Sequence, residues 1–356
     1  MKRILLTPLD WGLGHATRCI PIVRELLRRE CTVFIAGSGD SLLLLKNEFP
    51  QLRFFTLPAY QPVYPSGRNM VWKMILQVPK FMEVIKNEHL QIESIIDQNK
   101  IDLIISDNRY GCWSARIRSV FITHQLNILM PKGFRWLERP VRLLNERLIK
   151  KFSHCWIPDY ADEKMSLSGK LSRYNKSSSY QVTHIGPLSR FKKPVEQPCL
   201  YDIVCILSGP EPQRTLFENK IINQLRTSGL RYFLVQGVYS KEQGNVPNES
   251  AFLNSEALQN VISQSSVVIA RSGYSTLMDL AALGKKGIVV PTPGQTEQEY
   301  LALRWNKKGV LWSMTQESFN LTIALRESNR YTGFTNGCNL NTELLTQQIE
   351  RVLSGL

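Results

Sequence analysis

No window of the 356-residue chain approaches the roughly 18–20 uncharged apolar residues that a membrane-crossing helix needs. No Cys-x-x-Cys pair occurs. The seven cysteines, Cys19, Cys31, Cys112, Cys155, Cys199, Cys205 and Cys338, are odd in number, which argues against both a disulfide framework and a zinc site. The early glycines are not spaced Gly-x-Gly-x-x-Gly, which argues against a dinucleotide site. Acidic residues are scarce against basic ones, 30 Asp and Glu to 44 Lys and Arg, a formal net charge of +14. That surplus implies an acidic partner: nucleic acid, an anionic membrane surface or phosphate-bearing substrates. No nucleic-acid motif or stacking-aromatic pattern accompanies the charge, so nucleic acid is not an expected partner. Met1-Lys2-Arg3 before Ile4-Leu5-Leu6 faintly imitates a secretion signal. Its apolar part is too short, and Pro8 and Asp10 break it, so it reads as the first strand of a cytoplasmic protein.

What is present is 43% apolar residues over a length that suits two domains, each able to bury a core. Ile4–Thr7 reads as a strand, Trp11-Gly12-Leu13-Gly14-His15 as a glycine turn, and Ala16–Arg28 as a helix with apolar spacing at Ile20, Val23 and Leu27. His15 therefore falls at a strand-to-helix turn on the carboxyl edge of a sheet, where open α/β sheets bind ligands. Strands at Thr32–Ala36, Arg53–Leu57, Leu103–Ser106 and Ser119–Thr123 alternate with helical stretches at Leu42–Asn47, Val71–Asp97 and Arg142–Phe152. The alternation predicts a parallel, doubly wound sheet. Two strands end in polar runs at that same edge, Ser106–Gly111 and Thr123–Asn127. Phe191–Pro198 is basic with two prolines and reads as a linker. Tyr201–Leu207 opens a second sheet, and the chain closes with a helix over Thr342–Leu353.

Ile269–Tyr300 organises the second half. Ser266–Ala270 is an apolar strand, Arg271-Ser272-Gly273 a tight turn, and Ser275 or Thr276 can cap a helix that stops at Gly284. A second buried strand, Ile288–Val290, is closed by Pro291 and Pro293. Such a turn aims several backbone N–H groups at one point with the helix dipole behind them, an anion site whose usual occupant is phosphate. Asp279, Gln298 and Glu299 come to the same rim, so the site suits a nucleotide carrying a sugar.

Arg271-Ser272-Gly273-x-Ser275-x-x-x-Asp279 with Ala281-Ala282-x-Gly284, then Val290-Pro291 and Gln298 near Tyr300, resembles the donor signature of MurG-type glycosyltransferases. Gly12-x-Gly14-His15-x-x-Arg18 resembles the same family's amino-terminal motif. The resemblance implies an α/β, GT-B fold: two doubly wound Rossmann-like domains facing across a cleft, over 1–190 for the acceptor and 191–340 for the donor, with a helix at 341–356 returning to the first. It implies an inverting, metal-independent enzyme with no cofactor, moving a sugar from a UDP-sugar, with UDP-N-acetylglucosamine the first guess, to a hydroxyl of a lipid-linked or membrane-proximal acceptor. His15 is the implied general base. Gly14, Arg18, Asp107, His124 and Asn127 are carried over to the acceptor side. Donor residues carried over are Ser208, Arg214, Phe252, Leu253, Arg271, Ser272, Gly273, Tyr274, Ser275, Thr276, Asp279, Gln298 and Glu299. Glu299 stands where the family has glutamine, and Ser208–Arg214 holds two prolines and fewer glycines than the family's loop, which leaves the donor sugar and the phosphate contacts open. Alternatives are a UDP-sugar 2-epimerase-like enzyme and a non-catalytic nucleotide-sugar or lipid-binding subunit.

Two stretches suit a membrane surface. Pro131–Phe152 carries seven basic residues, Arg139 and Arg142 among them, against Glu138 and Glu146, with Phe134 and Trp136 interleaved. Val141, Leu144, Leu148 and Phe152 form a stripe that faces either a core or lipid. Docking on anionic lipid would place the protein peripherally on the inner face of the cell membrane. The aromatic, proline-rich run Tyr60–Trp72 suits an acceptor entrance.

Overall fold

A computed structural model describes residues 1–62, 74–174, 180–192, 197–238, 246–334 and 342–356. The run expected to form an acceptor entrance lies outside them from residue 63 on, as does 193–196 of the expected linker. The chain divides into two compact units: the described residues of Met1–Val63, Val71–Leu188 and Asn341–Leu356, and those of Ser189–Leu340.

The first unit is built on seven parallel strands, β1 (Arg3–Pro8), β2 (Thr32–Gly37), β3 (Arg53–Thr56), β4 (Leu103–Asp107), β5 (Arg118–Ile122), β6 (His154–Ile157) and β7 (Gln181–His184), in the order β3-β2-β1-β4-β5-β6-β7. Strands covered on both faces need continuous apolar runs rather than alternation. Ile4-Leu5-Leu6 and Leu103-Ile104-Ile105 supply them and are fully buried. The helices α1 (Leu13–Arg28), α2 (Gly39–Glu48), α3 (Val78–Asn99) and α4 (Glu138–Ile149) lie between strands. α1 buries Ala16, Cys19, Ile20, Val23 and Leu26, the three-and-four spacing of one helix face. The strands β6 and β7 are four residues long and half polar at their starts, too short and mixed to register as a periodic signal.

The second unit is a six-stranded parallel sheet: β8 (Tyr201–Ile206), β9 (Tyr232–Val235), β10 (Glu249–Ser250), β11 (Ser265–Ala270), β12 (Gly287–Val289) and β13 (Trp312–Ser313), in the order β10-β9-β8-β11-β12-β13. Its helices are α5 (Gln213–Thr227), α6 (Ser255–Ser263), α7 (Tyr274–Leu283), α8 (Thr296–Lys307) and α9 (Leu321–Ser328). One face of the sheet packs Ile203, Cys205, Ile269 and Ile288 against Phe217, Ile221 and Leu225 of α5 and Leu321 and Ala324 of α9. Each half is thus a Rossmann-like, doubly wound sheet, as the alternation predicts.

The last helix, α10 (Thr342–Ser354), belongs to the first unit. It buries Leu345, Ile349 and Val352, and Arg29 at the end of α1 donates to the Thr346 carbonyl and pairs with Glu350. No helix among the described residues is long and apolar enough to cross a membrane.

Candidate active site

Strand register brings the first group of residues together. β1 and β4 run parallel with Pro8 opposite Asp107, and β4 and β5 with Asp107 opposite Ile122. Pro8 closes β1, and the chain turns at Gly12, whose φ of 80° is left-handed territory that glycine enters without strain. α1 starts at Leu13, earlier than the apolar spacing suggests, so Gly14 and His15 sit in its first turn. The carboxyl ends of three adjacent strands therefore present His15, Asp107 and His124 at one edge.

Their contacts form a chain. His15 Nδ1 lies 2.8 Å from Asp107 Oδ1. Arg18, one helical turn on, spans both Asp107 oxygens and sets Nη1 2.9 Å from His124 Nδ1. Arg18, Asp107 and His124 are buried, whereas the His15 side chain keeps 15% exposure. Burial pushes the Asp107 carboxyl up, but Arg18 and His15 overcome this and hold it well below the carboxylate range. Burial and then Arg18 push the His15 imidazole down, opposed by Asp107. Arg18 Nη2 also lies 2.9 Å from the same Nδ1; in the tautomer that donates Nδ1–H to Asp107 the lone pair is on Nε2, the arrangement of an oriented general base. Asp107 and Arg18, carried over to the acceptor side, hold His15. Asn127 is also turned to the protein: its amide donates to the carbonyls of Lys170 and Arg173 at 2.9 and 2.6 Å.

Beneath this edge lies a cluster that no sequence motif announced. Glu88 and Arg109 are both fully buried and paired at 2.6 Å. Tyr60 Oη donates to Glu88 at 2.8 Å, and Arg109 donates to the carbonyls of Pro8 and Pro58 and to Ser38 Oγ. Burial, opposed by Arg109, raises the Glu88 carboxyl to about 7. The cluster ties the end of β1 to the turn after β4.

In the second unit, β11 delivers Ala270 beside Val290, whose N–H donates to the Ala270 carbonyl at 2.9 Å. α7 then begins at Tyr274 with Gly273 as its cap, so Ser275 and Thr276 lie inside the first turn rather than capping it. Gly273 offers no side-chain cap, and the first helical bond runs from Leu277 N–H to its carbonyl at 3.1 Å. A helix start left without a side-chain acceptor is a ready anion cradle. At the far end Gly284 closes α7 in the left-handed conformation.

Arg271, carried over to the donor side, turns its side chain to the interior. It is buried, stacks on Phe217 at 4.6 Å, and donates to the carbonyls of Gln213, Val290, Pro291 and Ser208 and to Gln316 Oε1. With no carboxylate partner among these, burial lowers the guanidinium to about 10. Arg271 braces the loops that surround the turn. Ser272 is likewise buried and donates to the Gln298 carbonyl at 2.8 Å. Gln298 Oε1 accepts from Thr292 N–H at 2.8 Å and Glu299 Oε1 from Gly294 N–H at 3.0 Å, so both side chains shape the loop between β12 and α8. Arg214 pairs with Glu211 and Glu218 at 2.6 and 2.7 Å. Ser208, Phe252 and Leu253 are half-buried at the ends of β8 and β10. Asp279 accepts from Ser189 Oγ at 2.6 Å and faces Arg190 at 3.3 Å, partners that were not anticipated. Burial raises its carboxyl, opposed by Arg190 and Ser189.

Residues 205–330, which hold the turn at Arg271–Gly273 and α7, match the model of the glycosyltransferase family 28 C-terminal domain. A curated relative named "Uncharacterized glycosyltransferase" from Methanosarcina acetivorans is 26% identical over 324 residues, covering 83% of this chain and 81% of its own. The UDP-N-acetylglucosamine--N-acetylmuramyl-(pentapeptide) pyrophosphoryl-undecaprenol N-acetylglucosamine transferase of Sulfurihydrogenibium sp. is 24% identical over 131 residues, 36% of this chain and 38% of the relative. The crystal structure of Acinetobacter baumannii MurG superposes with a TM-score of 0.57 at 14% identity, over 99% of this chain and all of that one.

The chain is a glycosyltransferase of GT-B fold, and its second half carries the family 28 C-terminal domain. In this glycosyltransferase the signature that carries the resemblance, Arg271–Gly284, falls on the uncapped start and glycine-closed end of α7, and the amino-terminal motif falls on the first turn of α1.

The surface after β5 corrects an expectation. A 3-10 turn at Lys132–Leu137, with Phe134 half-buried, leads into α4. The core-facing line of α4 is Asn145 and Ile149, continued by Phe152, one position round from the expected stripe. Asn145 is fully engaged there, accepting from Tyr110 Oη and donating to the carbonyls of Gln125 and Leu126. Leu143, Leu144 and Trp136 are left outside at 54, 45 and 71% exposure, among exposed Arg139 and Arg142.

Proposed function

We propose that the glycosyltransferase moves a sugar from a UDP-sugar to a hydroxyl of a lipid-linked or membrane-proximal acceptor, with inversion at the anomeric carbon. The observation that carries this reading is the His15–Asp107 pair, an imidazole held by its Nδ1 and depressed below its ordinary pKa at the ligand edge of a sheet. His15 Nε2 takes the acceptor proton as that oxygen attacks the anomeric carbon. The bond from that carbon to the diphosphate breaks, and its electron pair leaves with UDP. Negative charge grows on the departing diphosphate, and the first-turn N–H groups of α7 and its dipole stabilise it. Asp279 binds ribose hydroxyls in this reading, exchanging Ser189 for them. Arg271 keeps the Ser208 and Pro291 loops in place. The mechanism asks for one base and no metal.

The name of the Sulfurihydrogenibium relative supports UDP-N-acetylglucosamine as the first donor to try. The exposed Trp136, Leu143 and Leu144 among arginines support an acceptor met at an anionic membrane surface. The test is product analysis. Incubation with UDP-N-acetylglucosamine and a polyprenyl-linked saccharide extract should give a product one sugar heavier with a β linkage by NMR; an α linkage or UDP release without a sugar product would refute the reading.

A further inference from the structure

A cavity of about 390 Å³ opens in the first unit at the amino-terminal edge of its sheet, the edge opposite the one that carries His15. Arg118, His154 and Gln181 are the first residues of β5, β6 and β7; His154 and Gln181 are register partners, and Arg118 lies two residues before Val120, the partner of His154 on β5. Arg351, Ser354 and Gly355, at the end of α10, complete the wall. No acidic residue lines it.

Arg28, Arg116, Arg226 and Arg231 are exposed and each is paired with a carboxylate at 2.8 Å or less. Arg118 and Arg351 are equally exposed, yet among the described residues neither has a carboxylate within ion-pair distance, and they share one cavity. His154 places a buried Nδ1 there with no hydrogen-bond partner. Gly355 packs flush on Arg118, since a Cβ added at that position would run into the guanidinium. Two guanidinium groups without a carboxylate partner line this space beside His154, while the Ser354 hydroxyl donates to the Arg351 carbonyl and Gln181 bonds to His154. Arginine forks match phosphate oxygens in both charge and geometry. The volume exceeds that of a bare phosphate and falls within the range of about 300–1,000 Å³ for small-molecule sites.

We propose that this cavity is a second anion site, separate from the donor turn, which binds the phosphate of a phosphomonoester through Arg118 and Arg351. The phosphomonoester is either a soluble metabolite or the headgroup of a membrane lipid. Occupancy ties α10 to the starts of three strands.

The test uses the full chain and glycerol phosphate, whose chemistry the two sources share. Calorimetric titration should show saturable binding to wild type and to His15→Ala. Binding should weaken at least about tenfold in the Arg118→Gln, Arg351→Gln double variant, the loss expected for charge-assisted contacts. Ser354→Glu, an exposed substitution that places a carboxylate at the wall, should weaken it likewise with Tm unchanged. The KM for the donor should not move in either. Flotation with vesicles of phosphatidylcholine, with and without phosphatidic acid, separates the sources. Phosphatidic-acid-dependent flotation lost in the double variant identifies a lipid headgroup; flotation that the variant does not alter, with soluble binding lost, identifies a metabolite. No saturable binding to wild type, or equal affinity in the double variant and Ser354→Glu, would overturn the proposal.

Discussion

Asp107 Oδ1 stands 2.8 Å from Nδ1 of His15, a residue 92 positions earlier, because β1 and β4 are paired with their carboxyl ends level. The carboxylate cannot itself reach a substrate: it is fully buried and shared with Arg18. Its consequence is the tautomer. Asp107→Asn would offer Nδ1 an amide whose orientation is dictated by Arg18, and the base at Nε2 would be lost in much of the population. We expect kcat to fall by about 10²–10⁴-fold, the usual contribution of a positioned base. His15→Ala should do the same, with the KM for the donor changed less than threefold in both. A matching rise in donor KM with kcat intact would show that His15 binds rather than reacts.

The pH profile follows from the same pair. His15 is depressed by burial and Arg18, so it remains unprotonated to lower pH than a free imidazole. The acid limb of kcat against pH should therefore lie below about 6.5, the ordinary histidine value. A limb at or above that value would place the base elsewhere.

Much of this was legible in the chain itself and some was not, for physical reasons. The alternation of Ile4-Leu5-Leu6, Leu103-Ile104-Ile105 and Ser266–Ala270 with helical spacing predicts two parallel sheets, because buried parallel strands must be apolar throughout. Gly12, Gly273 and Gly284 mark real turns. Side-chain direction is not written in spacing. Arg271 sits in the signature, and at the end of a buried strand its side chain turns to interior carbonyls. Glu88 and Arg109 lie 21 residues apart on a helix and a loop, and only the fold makes them a buried pair. Ser189 and Arg190 meet Asp279 across 90 residues of sequence.

Glu88 makes stability depend on pH with a definite sign. Its carboxyl titrates at about 7 in the folded chain against 4.5 for the ordinary value. Between those values the folded state holds a proton that the unfolded state has lost, so stability falls as pH rises through the window. Glu88→Gln removes the proton and keeps the volume. The Tm difference between variant and wild type should shift in favour of the variant as pH goes from 4.5 to 7.5, as read by differential scanning fluorimetry. A constant difference would mean that Glu88 is ionised throughout.

Arg271 should matter to stability and to donor binding at once. Arg271→Met preserves bulk and the contact with Phe217 but strands the acceptors at Gln213, Val290, Pro291 and Gln316. Each buried acceptor left unpaired costs about 1–3 kcal/mol unless water reaches it, so a loss of several kcal/mol is expected in urea unfolding of the second unit. Arg271→Lys, with one point charge in place of a planar fork, should recover part of that loss. Donor KM should rise in both, in the order of their instability. If Arg271→Met raised donor KM severalfold with stability unchanged, the side chain would be contacting phosphate after all.

The outer face of α4 gives the last prediction. Docking on an anionic bilayer draws on two terms that substitutions can separate. Basic residues near the surface contribute on the order of 1 kcal/mol each, so replacing Arg139, Arg142, Lys150 and Lys151 with Glu should lower partition onto vesicles of anionic lipid by at least about a thousandfold. Arg142 lies 3.8 Å from Glu146 and Lys151 stacks over Trp113 at 5.2 Å, so their shares should be smaller than those of Arg139 and Lys150. Salt should weaken the wild type in the same way, because exposed charges are screened within about 10 Å at 0.1 M. Trp136→Ser and Leu143→Ser act on the other term: they should reduce binding to neutral and anionic vesicles alike and leave the salt dependence unchanged. None of these substitutions touches the buried line of Asn145, Ile149 and Phe152, so Tm should hold within a few degrees. Unaltered sedimentation of the fourfold Glu variant with anionic vesicles would remove the membrane from the proposed function while leaving the chemistry at His15 untouched.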